Sequence, residues 1–229
     1  MNPPAWILFD VGWTLVDETE SHLDRFARVL AGNPAPGLTP TELFRRYEEG
    51  FLRRRPDPFI DAIALAGFGP GDRGRFPFDH AQERVYPDAV PALTRLSSRF
   101  RLGVLANQSP GLPSRLEKYG LARFFEIILG SGDTGASEAR HAQRCVAPGA
   151  RKPEREFFDL AVAKTACSPT GLMMVGDRPD NDIGPAKAAG WQTVRILRGP
   201  HRRVAPAGKG ETADLEVAGL ADLAATFDR

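Results

Sequence analysis

Cysteine is nearly missing from this chain: Cys145 and Cys167 are the whole complement in 229 residues. Two cysteines with no CxxC spacing make neither a disulfide framework nor a zinc site, so they read as free thiols of a reducing compartment. An excess of one charge sign is missing too. Lys and Arg number 30 against 29 Asp and Glu, a net charge of +1, which gives no basis for a nucleic acid or membrane partner. No apolar run approaches the ~20 residues that cross a bilayer. No basic stretch precedes the short apolar run near the N-terminus, so that run reads as a core strand and not as a leader. Internal repeats and low-complexity tracts are absent. The expectation is a cytoplasmic protein, a monomer or a homodimer, with a small-molecule partner.

What remains is ordinary for a globular chain. Apolar residues make up 42% and charged residues 26%, enough for one sizeable core with a small accessory domain. Short apolar runs predict strands at Ile7–Phe9, Leu102–Leu105, Phe125–Leu129, Leu172–Val175, Thr193–Leu197 and Leu215–Val217. Helical patterns lie between them at 88–98, 110–119, 153–165, 181–189 and 219–227. Strands that are apolar throughout and alternate with helices predict a doubly wound α/β fold, its parallel sheet covered on both faces. Residues 18–84 break the alternation. They carry helical patterns at 20–31, 40–54 and 57–66, and a Gly/Pro loop at Gly67-Phe68-Gly69-Pro70-Gly71. The predicted division is therefore a core of 1–17 and 85–229 and a helical insert of 18–84.

Ligands of such sheets bind beyond the carboxyl ends of the strands. Asp10, Asn107 and Asp177 each follow a predicted strand and would converge on one edge. Asp10 closes Trp6-Ile7-Leu8-Phe9 and opens into Val11-Gly12. A carboxylate where a buried strand meets a glycine turn can act as nucleophile and metal ligand together. A second acidic cluster, Asp177-Arg178-Pro179-Asp180-Asn181-Asp182, follows Leu172-Met173-Met174-Val175-Gly176. Two strand-end acidic sites in one α/β pattern suggest magnesium-assisted phosphoryl transfer. Pro153 at the first predicted helical position sets Lys152 at a helix N-terminus.

Four segments in order resemble the motifs of the haloacid dehalogenase-like hydrolase superfamily: Phe9-Asp10 through Asp17, Val104 through Gln108, Arg151-Lys152-Pro153-Glu154, and Val175-Gly176-Asp177 through Asp182. The resemblance covers the chain outside 18–84, and the insert resembles the smaller of the family's cap types. It implies Asp10 as nucleophile and Lys152 as the neutralising cation. It implies Mg2+ held by Asp10, Asp177, Asp182 and the backbone carbonyl of Gly12. Asn107 is the expected phosphoryl contact, because Ala106 stands where the family places Ser or Thr. Asp180 is expected to be structural.

Gly12 is the main departure, since most phosphatases of the family carry there the Asp that protonates the leaving oxygen. Asp17, the insert or a further segment would have to replace it. Three readings follow: a magnesium-dependent phosphohydrolase for a small phosphorylated metabolite, a phosphate- and metal-binding protein with little turnover, and a metal-free dehalogenase. The retained Asp177/Asp182 pair argues for phosphate chemistry. Residues 137–150, with Arg140, His141, Arg144 and Cys145, read as an inserted solvated loop. Arg53-Arg54-Arg55 reads as cations complementing a helix C-terminus. Trp13 reads as a packing residue beside the site.

Overall fold

A computed structural model of the chain describes residues 3–33, 35, 37–108, 111–131, 143–144 and 150–228. Its described residues divide into two compact units. The first comprises 1–15, 85–198 and 206–229, and the second 16–84 with 199–205. Two short strands, β2 (Val16–Asp17) and β3 (Arg84–Val85), pair as a ribbon where the chain passes from one unit to the other and back.

The first unit is built on β1 (Trp6–Phe9), β4 (Arg101–Ala106), β5 (Ile127–Gly130), β6 (Gln143–Arg144), β7 (Leu172–Gly176), β8 (Gln192–Ile196) and β9 (Leu215–Val217). These form one sheet in the order β6-β5-β4-β1-β7-β8-β9, with parallel pairing at each step. The chain winds outward from β1 through β4, β5 and β6, then returns beside β1 and winds the other way. The doubly wound α/β expectation holds, and the direction reverses at β1. Trp6 is level with Arg101 and Leu172, and Phe9 with Val104 and Val175, so Asp10 leaves the sheet between the ends of β4 and β7.

Every residue of β1, β5 and β7 is buried, as a two-face covered sheet requires. Alternate side chains (Trp6, Leu8, Leu105, Leu129, Met174) pack with Phe157, Phe158 and Ala161 of α6 (Arg155–Thr165) and Ala186 of α7 (Gly184–Ala188). Helices α4 (Ala89–Ser97), α5 (Leu112–Lys118) and α8 (Leu220–Thr226) complete the unit. Each fully buried side chain of this size contributes about 1.5–3 kcal/mol of transfer free energy.

Three details differ from the sequence expectation. Helix α6 starts at Arg155 with Glu154 as its N-cap, because Arg151 to Glu154 close a separate turn through Glu154 N–H to Arg151 O at 2.8 Å. Pro153 therefore stands before the helix. The helix expected at 181–189 opens as a π-turn over Pro179–Ile183, since Ile183 N–H reaches back five residues to Arg178 O. Gln143–Arg144 forms an edge strand, while the rest of the expected 137–150 loop, Ala150 apart, lies outside the described residues.

The second unit holds α1 (Thr19–Gly32), α2 (Pro40–Leu52) and α3 (Pro58–Ile63) around Phe26, Val29, Leu43, Phe59, Ile63, Phe68 and Phe76. Helix α2 begins with Thr39 and Glu42 bonding each other's backbone N–H and Pro40 at the first position, a reciprocal cap typically worth ~1 kcal/mol. Asp57 caps α3. Gly50 lets the two helices touch: a Cβ there would fall 2.6 Å from Pro58 Cβ. Residues 199–205 join this unit through Arg54 Nη2 donating to Ala205 O at 2.8 Å and His201 packing on the Phe51 ring at 4.1 Å. Among the described residues no helix is long and apolar enough to cross a membrane.

Candidate active site

The candidate site lies wholly in the first unit, at the carboxyl ends of β1, β4 and β7. Asp10 follows β1, and its N–H donates to Val175 O at 2.9 Å, fixing it against the end of β7. Asp177 follows β7 directly. Asp182 arrives from the π-turn, an arrangement often found at functional sites. Its Oδ2 accepts from the Arg178 N–H at 3.0 Å. Gly176 makes the approach possible, because a Cβ there would sit 2.5 Å from Asp182 Cγ. One oxygen from each of Asp10, Asp177 and Asp182 lies within 4.8 Å of the others.

Lys152 enters this cluster with its side chain fully buried. Its ammonium donates to Asp10 Oδ1 and to Asp182 Oδ1, both at 2.6 Å. A buried ammonium needs such partners, because desolvation of a lone charge costs several kcal/mol. Burial alone would strip Lys152 of its proton, but the Asp10 and Asp182 charges overcome it and raise its pKa. Asp10 is pushed up to about 7, by burial first, with Lys152 opposing and the Asp182 and Asp177 charges adding to the rise. Three carboxylates face one ammonium, so the cluster is short of positive charge. Arg178 is turned toward Asp180, bonding it through Nε at 3.1 Å and Nη2 at 2.7 Å. Burial pulls its pKa down, but these bonds and the nearby carboxylate charges raise it on balance.

The remaining candidates fall out differently. Asn107, one residue past β4, directs its side chain to the Lys152 peptide: Nδ2 donates to Lys152 O at 2.7 Å, and Oδ1 accepts from Lys152 N–H at 2.8 Å. Gln108 accepts from Arg115 Nη2 at 2.8 Å. Ala106 ends β4 buried and offers no hydroxyl. Gly12 is buried in a turn closed by Leu15 N–H to Val11 O at 2.8 Å and adds no side chain to the cluster. Trp13 is 4% exposed and held at φ 57°, a conformation costly for a bulky residue. In the second unit, Asp17 Oδ1 accepts from the Thr19 N–H and hydroxyl. There Arg53 pairs with Glu49 and Arg55 with Asp61. Sequence reasoning missed the Asn107–Lys152 link and the fit of Gly176 over Asp182. The sequence signal for the second was a glycine at a strand end, immediately before an acid.

Comparison with known proteins finds similar sequences and folds. A HAD-hydrolase-like family model matches residues 149–223, the stretch holding Lys152, Asp177 and Asp182. The glyceraldehyde 3-phosphate phosphatase of Methanopyrus kandleri is 26% identical over 92% of this chain and 91% of its own length. The phosphoserine phosphatase of Thermus thermophilus is 29% identical over 72% of this chain and 61% of its own. In structure, the chain is similar to the magnesium-bound HAD hydrolase YfnB of Bacillus subtilis, with a TM-score of 0.69, 18% identity and full coverage of both chains. In family model, curated relatives and fold, the chain is similar to the haloacid dehalogenase-like hydrolases.

Proposed function

We propose that the chain is a magnesium-dependent phosphohydrolase that turns over a small phosphorylated metabolite through an aspartyl-phosphate on Asp10. The observation that carries this reading is the Lys152 ammonium bonded at 2.6 Å to both Asp10 and Asp182 inside a three-carboxylate cluster. Hard oxygen donors with surplus negative charge suit magnesium. Asp10, Asp177 and Asp182, with the Gly12 carbonyl, are the residues that would hold it. When bound, magnesium screens the substrate phosphate from the carboxylates. A magnesium-bound structural relative and relatives named as phosphatases of small phosphate esters support the assignment.

The chain's own residues divide the work. Asp10 attacks phosphorus as the bond to the leaving oxygen breaks, and water then cleaves the aspartyl-phosphate and restores the carboxylate. Lys152 neutralises Asp10 and the charge that develops on the transferring group. Gly12 supplies no proton, which removes from that position the ~10²–10⁴-fold help of a general acid. Acyl and aryl phosphates are then the preferred substrates, and alkyl phosphates turn over slowly.

The test is phosphate release from sugar phosphates, phosphoglycolate, acyl phosphates and para-nitrophenyl phosphate, with magnesium and with chelator. The expected result is magnesium-dependent turnover that rises with leaving-group quality. Gly12 and Ala106 together favour a second reading, a phosphate- and metal-binding protein with little turnover. Folded, magnesium-replete protein inactive on every substrate would establish that one. Halide release from a haloacid, assayed alongside and unaffected by chelator, would instead establish metal-free dehalogenation.

A further inference from the structure

The segment that presents Lys152 lacks regular structure. Lys152 lies in a turn three residues before α6, and Glu154 N–H to Arg151 O closes that turn without bonding the Lys152 peptide. A lysine has four side-chain torsions to fix, and its ammonium must stay within 2.6 Å of two separate carboxylates. Asn107 meets this need from the end of β4, a rigid central strand 45 residues earlier in the chain. Its amide pairs with both polar groups of the Lys152 residue, in the manner of one strand residue pairing another. The polarity of the peptide fixes which way the amide faces: oxygen toward N–H, nitrogen toward C=O.

We propose that Asn107 is a positioning residue, whose side-chain amide brackets the Lys152 backbone and so aims the Lys152 ammonium at Asp10 and Asp182. This rests on the phosphohydrolase reading for its kinetic consequence but not for its structural one. The alternative role, direct contact with the phosphoryl group, would use the second hydrogen of the same amide nitrogen, the first being donated to Lys152 O. Under the positioning role, everything Asn107 does for the reaction passes through Lys152.

A double-mutant cycle separates the two roles. Asn107→Ala is expected to lower kcat about 10- to 100-fold, the scale of a misplacement near 1 Å, with KM changed less than about threefold. Asn107→Asp keeps the acceptor but sets a carboxylate against Lys152 O, and is expected not to rescue. In a Lys152→Met background, Asn107→Ala is expected to cost less than about twofold more. Full additivity, or Asn107→Ala turning over like the parent, would overturn the proposal.

The second arm needs no turnover. Acetic anhydride labelling read by mass spectrometry reports access to each lysine amine. Lys152 is expected to label slowly in the parent and about 10-fold faster in Asn107→Ala, while Lys118 and Lys164 label equally in both. Unchanged Lys152 labelling in the folded variant would overturn the proposal even if the parent hydrolyses no phosphate. Faster labelling from an inactive parent would sink the phosphatase reading and keep this one.

Discussion

The two units bury ionisable groups to opposite ends. In the α/β unit, Lys152, Asp177 and Asp182 are buried at one sheet edge, where the Asp10 and Asp182 charges raise the Lys152 pKa and burial pushes Asp10 up to about 7. In the helical unit, His22 and Arg25 are buried among aromatic rings. His22 lies 4.8 Å from the Tyr47 and Phe78 rings. The Arg25 guanidinium stacks 3.5 Å over Phe59 and donates to Phe76 O at 2.7 Å. Burial drives His22 down to about 3 and Arg25 down to about 10. Burial is similar in the two places, and the outcome depends on the neighbours. Carboxylates at hydrogen-bond distance keep the Lys152 charge in place, whereas at His22 the Glu18 carboxylate stands 3.9 Å off and burial among rings prevails, and the Arg25 cation rests on a ring and a carbonyl.

The comparison is broken most severely at Asp10. Asp10→Asn is expected to lower phosphate release by about 10³-fold or more while leaving the melting temperature within a few degrees. Unfolding of that variant would place Asp10 in the scaffold instead of the chemistry. Gly176→Ala comes next. Its Cβ drives Asp182 off its present position, at about 1–3 kcal/mol of overpacking. The magnesium concentration for half-maximal activity is expected to rise at least several-fold.

His22 sharpens the other side. Its folded pKa lies below its unfolded value near 6.5, so below pH 6.5 the unfolded chain takes up a proton that the folded chain refuses. Stability is therefore intact above pH 6.5 and falls as pH drops toward 3, by about 2 kcal/mol at pH 5 from this group. Denaturant titrations from pH 7 to 4 are expected to show a flatter slope for His22→Phe than for the parent. Parallel slopes would mean that His22 titrates normally. Gly50→Ala leaves the chemistry untouched, with about 1–3 kcal/mol lost where α2 meets α3. Hydrogen exchange is expected to accelerate in α2 and α3 and to stay unchanged in β1, β4 and β7.

The sheet was legible because its strands are continuous apolar runs, and the order of acids after strands pointed to one edge. Asp10, Lys152, Asp177 and Asp182 do meet there. Asn107 was legible as a strand-end residue but not in its use, since its partner is a backbone 45 positions away with no side-chain signature. The helix expected from Pro153 begins at Arg155, because a local turn claims the intervening residues. The π-turn at Pro179–Ile183 was hidden for a similar reason. Its shape depends on Asp182 reaching the Arg178 N–H and on the space above Gly176, and hydrophobic spacing carries neither.

Residues 199–205 give the helical unit a limit as a portable part. A chimaera that moves only 16–84 onto another α/β scaffold leaves behind His201, which covers the Phe51 ring, and Ala205, whose carbonyl receives Arg54. The transplant would lose one ring contact of Phe51 and one acceptor of Arg54 at the end of α2. Exchange of this unit between relatives therefore requires moving two segments together, one that follows β1 and one that follows β8.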